Sequence, residues 1–438
     1  MNAADTSWVL VSAGLVMFMT PGLALFYSGM IRAKSMLNTI ALTVACLGVV
    51  GVIWVAFGYS LAFGPDEAGL IGSLAQAGMH NLSGQLTGPP GHRIPVFALA
   101  SFQLMFAIIT VALLAGAVAE RTRFWPWLVF VALWVTIVYL PLAHWVFDPN
   151  GWLVSKLHLL DFAGGTAVEV NSGTASLALA VVIGKRVGWP REQPRPHNLP
   201  MVMLGAGILW FGWFGFNAGS ALAADGLAAT AFFNTMLAGG TGMLGWLIVE
   251  QKRDGKPTTL GAASGAVAGL VGITPACGFV EPLGGAAIGL LAGIIAALAI
   301  RLKYRLGFDD SLDVVAVHGI GGLTGLLATG LLATTAVNAA GANGLFYGGG
   351  FTQLGRQALA ALVTIAYSGL LTLIIGTIVH KTLGLRATRD AELAGIDENE
   401  HAETAYDHGR FGVAHTAIPS AHAHAAAARG NPTEPPGA

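Results

Sequence analysis

The sequence DFAGGTAVEVNSGTASL, at residues 161–177, places two carboxylates, Asp161 and Glu169, in a segment of otherwise small and apolar residues. A second stretch, DSLDVVAVHGIGGLTGL, has the same layout, with Asp310 eight residues before His318. In both stretches Ala-Val precedes the inner polar residue, and a glycine follows it four positions later. Ionisable residues are costly in membrane segments and commonly mark functional sites. Their matching positions therefore predict one site between two related half-chains.

The composition places the chain among membrane proteins. It has 438 residues, of which 54% are hydrophobic and only 10% are charged, whereas soluble domains carry roughly 25% charged residues. The apolar residues come in runs of about twenty, the length that a helix needs to cross a bilayer core. The net charge of −1 says little about partners, and no nucleic-acid partner is expected. We therefore predict an all-α polytopic membrane protein in a lipid bilayer.

Eleven apolar runs are long enough to be transmembrane helices. An odd number of spans puts the two termini on opposite sides of the membrane. The predicted spans are 8–31, 38–63, 96–119, 124–143, 162–183, 199–223, 227–251, 258–276, 282–303, 314–336 and 353–381.

The distribution of basic residues predicts the orientation of these spans. With the N-terminus outside, all of the 22 Lys and Arg residues lie on the inner side except Arg93, Lys156 and Arg356. Basic residues concentrate in the cytoplasmic connections of membrane proteins. We therefore expect a multi-pass protein of the cell (inner) membrane, with its N-terminus outside and its C-terminus in the cytoplasm.

Composition divides the chain into three parts. Residues 1–381 hold the eleven spans and form the predicted transmembrane domain. Residues 382–406 begin with charged sequence and are predicted to be an ordered cytoplasmic segment. Residues 407–438 are rich in His, Ala and Pro and are predicted to be disordered. The irregular spacing of the histidines in this last part favours a solvated tail over a metal site; they are His408, His415, His422 and His424.

Seven motifs stand out in order along the chain. They are FMTPGLALFYSGMIRAKSMLN at 18–38, FAIITVALLAGAVAERTRF at 106–124, DFAGGTAVEVNSG at 161–173, PHNLPMV at 196–202, GWFGFNAGSA at 212–221, GAVAGLVGITPACGFV at 265–280 and DVVAVHGIGG at 313–322. These motifs resemble those of the ammonium transporter family (Amt/Mep/Rh), and the resemblance extends from Leu15 to Tyr406. It implies the ammonium-transporter fold, with eleven helices and a 5+5 inverted repeat, assembled as a homotrimer in which each subunit has its own pore.

The resemblance implies an outer site that selects ammonium. Phe106 and Phe216 match the two phenylalanines that stack at the family's outer gate. Ser220 lies four residues after Phe216, so that both lie on one helix face. It matches a serine that accepts a hydrogen bond from ammonium.

One position departs from the family's outer site. Alignment from His144 places Phe147 where the family has a tryptophan. Phenylalanine is a weaker partner for a cation than tryptophan, so the site is expected to recruit ammonium less strongly. Trp145 or Trp152 is the alternative aromatic contact.

Inside the pore the family pattern is a pair of histidines. His318 matches the second, whereas Glu169 replaces the first, as in some fungal members. Because an isolated carboxylate is costly in a membrane, we predict that Glu169 faces His318. Asp161 matches an aspartate at the outer end of the fifth helix, where capping of the helix is favoured over direct binding of a cation. Trp213 either lines the pore or is packing.

The resemblance implies an ammonium transporter that serves nitrogen uptake. The outer site would bind NH₄⁺, which would release a proton before NH₃ enters a narrow apolar pore, because a cation is costly to desolvate. The proton would pass along Glu169 and His318, which would make transport electrogenic. The alternative is a channel that conducts NH₃ without charge.

Functions of other classes have weaker support in the sequence. An intramembrane enzyme would need a nucleophile with a base, and Ser172 and Ser176 near Glu169 are the candidates, without an HExxH or GxSxG motif. We therefore predict no enzymatic activity, no cofactor and no metal. An ammonium sensor is a further alternative. Residues 389–406 resemble the family's regulatory C-terminus, and a cytosolic PII-type protein is the possible partner.

Overall fold

Helices form most of the apolar sequence, because a chain in lipid must satisfy its backbone hydrogen bonds within each segment. The computed structural model describes residues 1–192 and 195–406; the predicted tail at 407–438, with its histidines, lies outside the described residues. Within the described part, ten helices are long and apolar enough to cross a membrane, and one further apolar helix is shorter. These eleven helices are α1 (Ala3–Met30), α2 (Ala33–Phe63), α3 (Val96–Ala117), α4 (Phe124–Ser155), α5 (Gly165–Ile183), α6 (Leu199–Gly219), α7 (Gly226–Asp254), α8 (Thr259–Ile273), α9 (Pro282–Leu306), α10 (Val315–Leu332) and α11 (Thr352–Leu383).

A helix occupies each of the eleven predicted segments, with changes at the ends, and ten of these helices are long and apolar enough to cross a membrane. The eighth, predicted at 258–276, is the short helix α8. Side-chain caps explain where several helices begin, since a cap satisfies backbone N–H groups that have no partner within the helix. The Oδ1 of Asp225 accepts from the backbone N–H groups of Leu227 and Ala228, each at 2.9 Å, at the start of α7.

Small residues let these helices approach closely. Because lipid offers no hydrophobic drive for helix association, close van der Waals packing of this kind holds the helices together. Helix α1 packs along α6, and α7 packs against α9. A Cβ atom added to Gly205 in α6 would lie 2.4 Å from the backbone nitrogen of Phe26 in α1. One added to Gly293 in α9 would lie 2.1 Å from the carbonyl oxygen of Gly242 in α7. A larger residue at either crossing would push the helices apart.

Two short hairpins cover one end of the bundle, which we call the outer end after the predicted topology. Both belong to residues 64–95, where the sequence is rich in turn-forming residues. In each hairpin two strands pair in antiparallel fashion. The pairs are β1 (Asp66–Glu67) with β2 (Ile71–Gly72), and β3 (Leu86–Thr87) with β4 (Ile94–Pro95).

A buried histidine in α4 holds the first hairpin in place. The Nε2 of His144 lies 2.9 Å from Asp66 Oδ1, and its Nδ1 lies 2.9 Å from the carbonyl oxygen of Ala62. The hydrogen bond with His144 lowers the pKa of the Asp66 carboxyl below its ordinary value. Next to it, Trp145 Nε1 donates to the carbonyl oxygen of Leu70 at 2.7 Å. The outer loop is therefore attached to α4.

Ion pairs tie the opposite, inner ends of the helices together. Glu120, which follows α3, pairs with Arg32 Nε at 2.6 Å and with Arg186 Nη1 at 2.7 Å. Arg186 also pairs with Asp309 through Nη2 at 2.9 Å. Burial by itself raises the pKa of Glu120, but the positive charges of Arg186 and Arg32 outweigh it and lower that pKa below its ordinary value. The network therefore joins four inner connections, those after α1, α3, α5 and α9, which are far apart in sequence.

The segment that follows α11 packs onto the inner end. It contains two short helices, α12 (Arg389–Ala394) and α13 (Ile396–His401). Asp397 accepts hydrogen bonds from the backbone N–H groups of Leu37 at 3.0 Å and Asn38 at 2.8 Å. A residue of the C-terminal segment thus satisfies backbone donors near the start of α2, as a helix cap does.

Candidate functional site: a pore between two π-helical turns

Helices α5 and α10 both begin with a π-helical turn, Gly165–Val170 and Val315–Ile320. Turns of this kind are uncommon and frequently occur at functional sites. Glu169 lies in the first turn and His318 in the second. The two halves of the chain therefore place their inner ionisable residues on the same unusual backbone.

Asp161 caps the first of these turns. Its Oδ1 accepts from the backbone N–H groups of Gly164 at 2.8 Å and Gly165 at 2.7 Å, and its Oδ2 accepts from Thr166 at 2.6 Å. These three bonds form the helix cap favoured from the sequence. Its counterpart Asp310 accepts one bond of 2.8 Å from the first residue of α10.

Glycines bring the two turns into contact. A Cβ atom added to Gly173 would lie 2.1 Å from Gly319 Cα, and one added to Gly322 would lie 2.6 Å from Glu169 Cβ. At this crossing Glu169 Oε2 lies 2.7 Å from His318 Nδ1. Only 1% of Glu169 and 4% of His318 is exposed. The two residues that the sequence singled out therefore meet inside the protein.

A narrow cavity of about 10 Å³ runs beside this pair. A space of that size holds about one water molecule. Trp213 lines it and donates from Nε1 to Thr274 Oγ1 at 2.9 Å, which holds the indole against the wall. Glu169 and His318 are the ionisable residues of a wall that is otherwise largely apolar. The lining residues are Met19, Leu23, Phe26, Ile109, Leu113, Val168, Glu169, Leu209, Trp213, Phe216, Val267 and His318.

Stacked phenylalanines close the cavity toward the outer end. The rings of Phe106 and Phe216 have centroids 4.2 Å apart and planes 16° apart. Phe147 meets Phe106 edge to face, with centroids 5.9 Å apart. Ser220 Oγ donates to the carbonyl oxygen of Phe216 at 2.7 Å. Because its proton is used in that bond, the hydroxyl oxygen can act as an acceptor.

A wider cavity of about 570 Å³ lies at the outer end. Phe147 lines it together with Gln103 and Asp148, two residues that the sequence analysis did not single out. Their positions in the sequence, next to predicted site residues, could have identified both. Gln103 precedes Phe106 by three residues, so the two share a helix face, and Asp148 directly follows Phe147.

The tryptophans offered as alternatives to Phe147 lie elsewhere. Trp145 and Trp152 contact each other with ring centroids 5.7 Å apart, and Trp145 also contacts Tyr367 at 4.7 Å. The residues that line the outer cavity include Phe147 but neither tryptophan. Phe147 is therefore the aromatic residue of the three that faces the cavity.

The serines considered as nucleophiles lack the geometry of a catalytic pair. Ser172 Oγ donates to the backbone carbonyl of Glu169 at 3.2 Å, not to its carboxylate. Ser176 Oγ is buried without a hydrogen-bond partner among the described residues. In the same part of the chain, no group of three or more His, Cys, Asp and Glu residues is placed to hold a metal ion.

Comparisons with known proteins agree with this architecture. The sequence profile of the Ammonium Transporter Family matches residues 7–406. An ammonium transporter of Mycobacterium tuberculosis (strain H37Rv) is 53% identical, over 93% of this chain and 91% of the relative. One from Bacillus subtilis is 46% identical, over 93% and 99%. The crystal structure of Saccharomyces cerevisiae Mep2 is similar with a TM-score of 0.82 and 36% identity, covering 89% of this chain and 88% of that one. The chain belongs to the ammonium transporter family.

Proposed function

We propose that this protein transports ammonium across the cell membrane, and that Glu169 and His318 carry the proton which ammonium releases on the way. The observation that carries the proposal is the 2.7 Å contact between these two side chains on the wall of a narrow cavity of about 10 Å³. In a member of the ammonium transporter family, a buried pair that can take up and release protons is suited to carry the proton that ammonium releases.

Ammonium would first bind outside the gate. Phe147 lines the outer cavity and offers an aromatic ring to the cation, and Ser220 offers a hydroxyl oxygen as an acceptor. Asp161 would act from a distance, because its oxygens already hold the cap of α5. Its negative charge favours entry of a cation without direct contact.

The small volume and the apolar wall of the pore require ammonium to lose a proton before it passes. A cavity of about 10 Å³ has no room for an ion with its hydration shell, and its wall offers few groups that replace that shell. NH₄⁺ therefore separates into NH₃, which can cross apolar surroundings, and H⁺, which needs titratable groups. Glu169 and His318 share one hydrogen bond and can exchange one proton between carboxylate and imidazole. NH₃ and H⁺ reach the inner side by adjacent routes and recombine there.

Currents in proteoliposomes on a solid-supported membrane test this function. A pulse of ammonium chloride should evoke a transient current that saturates with concentration, whereas a matched pulse of potassium chloride should evoke none. Electroneutral entry of NH₃ consumes luminal protons, so a rise in luminal pH or isotope uptake without current would support the electroneutral alternative instead. Absence of both uptake and current, in liposomes that contain folded protein, would contradict the transport function.

The orientation and the assembly are further parts of the proposal. The basic connections after α1, α3, α5, α7 and α9 support a cytoplasmic inner end, and residues 382–406 are suited to regulate transport there. Reporter fusions after Arg195 and after Lys381 should both report a cytoplasmic location, and an external reading at either point would contradict the topology. A homotrimer should appear in detergent by light scattering, and a PII-type protein should bind the inner end of that trimer.

A further inference from the structure

The outer cavity has the electrostatic character of a cation site. Among its lining residues are two carboxylates, Asp148 and Asp225, and no lysine or arginine. Its one basic residue, His92, has Nδ1 2.9 Å from the buried Asp5 carboxylate. A concave surface with charges of one sign raises the local concentration of the opposite ion. The cavity is therefore suited to gather cations before they reach the phenylalanine gate.

Asp148 is positioned to hold a cation in this cavity. It follows the helical segment that ends at Phe147, where the helix dipole adds to the negative potential. Only 7% of the residue is exposed. Its Oδ1 accepts from Asn150 N at 2.8 Å and Asn150 Nδ2 at 3.1 Å. These bonds fix the carboxylate beside Phe147 without neutralising its charge.

Gln103 adds an acceptor that nothing in the described protein uses. The residue is 7% exposed and lines the same cavity, and its Oε1 is buried without a hydrogen-bond partner among residues 1–192 and 195–406. A buried acceptor left unpaired is destabilising, so this one is expected to have a partner during function. Since Gln103 lies one helical turn outside Phe106, a donor bound there would be next to the gate.

We propose that Gln103 and Asp148 form an ammonium position in the outer cavity, in addition to the aromatic and serine groups at the gate. The four N–H groups of ammonium can donate to the Gln103 amide oxygen and to the carboxylate of Asp148, while Phe147 presents its ring. The carboxylate and the amide compensate for a phenylalanine at a place where tryptophan would bind a cation more strongly. This inference rests on the proposed ammonium transport.

Concentration dependence of the ammonium current tests the site. Asp148→Asn keeps an oxygen for Asn150 and removes the charge, and should raise the half-saturating concentration about two- to fivefold, the effect of one ion pair that solvent in the cavity screens. Gln103→Leu should raise it about two- to tenfold, as expected for one lost hydrogen bond. The matched control is Glu67→Gln, an exposed carboxylate of the outer end that does not line the cavity; its half-saturation should equal that of the wild type.

Two further measurements separate a binding role from a structural one. Gln103→Glu adds a negative charge and should lower the half-saturating concentration, a gain that misfolding cannot produce. Raising choline chloride from about 0.01 to 1 M shortens the screening length from about 30 to 3 Å. The increase in half-saturating ammonium concentration caused by Asp148→Asn should therefore become smaller, whereas the increase caused by Gln103→Leu should stay the same. If the wild type gives no ammonium current, the proposed transport function is wrong. If it gives current and both variants keep the wild-type half-saturation, only this site is overturned.

Discussion

Replacement of Glu169 by glutamine tests the proton pathway most directly. The amide has the shape of the carboxylate and can accept the hydrogen bond from His318 Nδ1, now 2.7 Å from Glu169 Oε2. It cannot take up or release a proton in the physiological range. We therefore expect Glu169→Gln to retain the folded pore and to lose the current that ammonium evokes.

The expected magnitudes for folding and for transport differ widely. A charge-assisted hydrogen bond becomes a neutral one, which costs about 1 kcal/mol. The cost of keeping a carboxylate buried disappears at the same time, so stability should change little. A positioned acid or base accelerates proton transfer by about 10²- to 10⁴-fold. The current should accordingly fall by about 100-fold or more, which corresponds to about 2.7 kcal/mol in the barrier.

The assay compares two buried glutamates in the same preparation. Glu250 in α7 is 7% exposed and accepts from Thr258 N at 2.8 Å, but it does not line the pore. Glu250→Gln should therefore keep the ammonium current, while Glu169→Gln loses it. Thermal unfolding of both purified variants should remain close to that of the wild type. Glu169→His should restore current with an altered pH dependence or ion selectivity, since imidazole also titrates.

One result would refute the reasoning. If Glu169→Gln carries the wild-type current at every ammonium concentration, the carboxylate does not transfer the proton. Its contact with His318 would then be packing within the pore wall, and the proton would take another path. Loss of current together with loss of folded protein would be resolved by Glu169→His, which must then conduct for the relay to stand.

The remaining predictions concern the gate, the cap and the helix crossing. Phe147→Trp should lower the half-saturating ammonium concentration, because indole binds cations more strongly than benzene; an unchanged value would place recruitment elsewhere. Asp161→Ala removes the acceptor of three backbone donors and should cost about 2 kcal/mol or more. A marked fall in melting temperature would show this, whereas a stable variant with a raised half-saturation would indicate direct cation binding. Gly173→Ala would press Cβ to 2.1 Å from Gly319 Cα and should destabilise by about 1–3 kcal/mol. Gly14→Ala, with open space around its Cβ, is the control that should unfold like the wild type.

Local sequence was sufficient for the membrane architecture and for the central pair. Eleven helices follow from run length and apolarity, because each helix in lipid satisfies its own backbone bonds and needs no distant partner. The cap formed by Asp161 is equally local, since all of its donors lie within five residues. Glu169 and His318 were recognisable as candidate site residues because ionisable side chains are energetically unfavourable in membrane segments and are usually functional there.

Only the tertiary structure decided which groups face which space. The sequence could not show that Trp145 contacts Leu70 and Tyr367 while Phe147 faces the outer cavity. The side chains of one helix point in all directions around its axis, and only the packing of the other helices decides what each side chain contacts. Nor did it single out Gln103 and Asp148, whose common cavity is formed by chain segments that are far apart in sequence. The 2.7 Å contact of Glu169 with His318 likewise needs the close crossing of α5 and α10. The local sequence thus determined the helices and identified the ionisable residues within them, because both depend on the apolar surroundings of each segment. Contacts between segments that are distant in sequence determined the shape, the width and the charge of the two cavities.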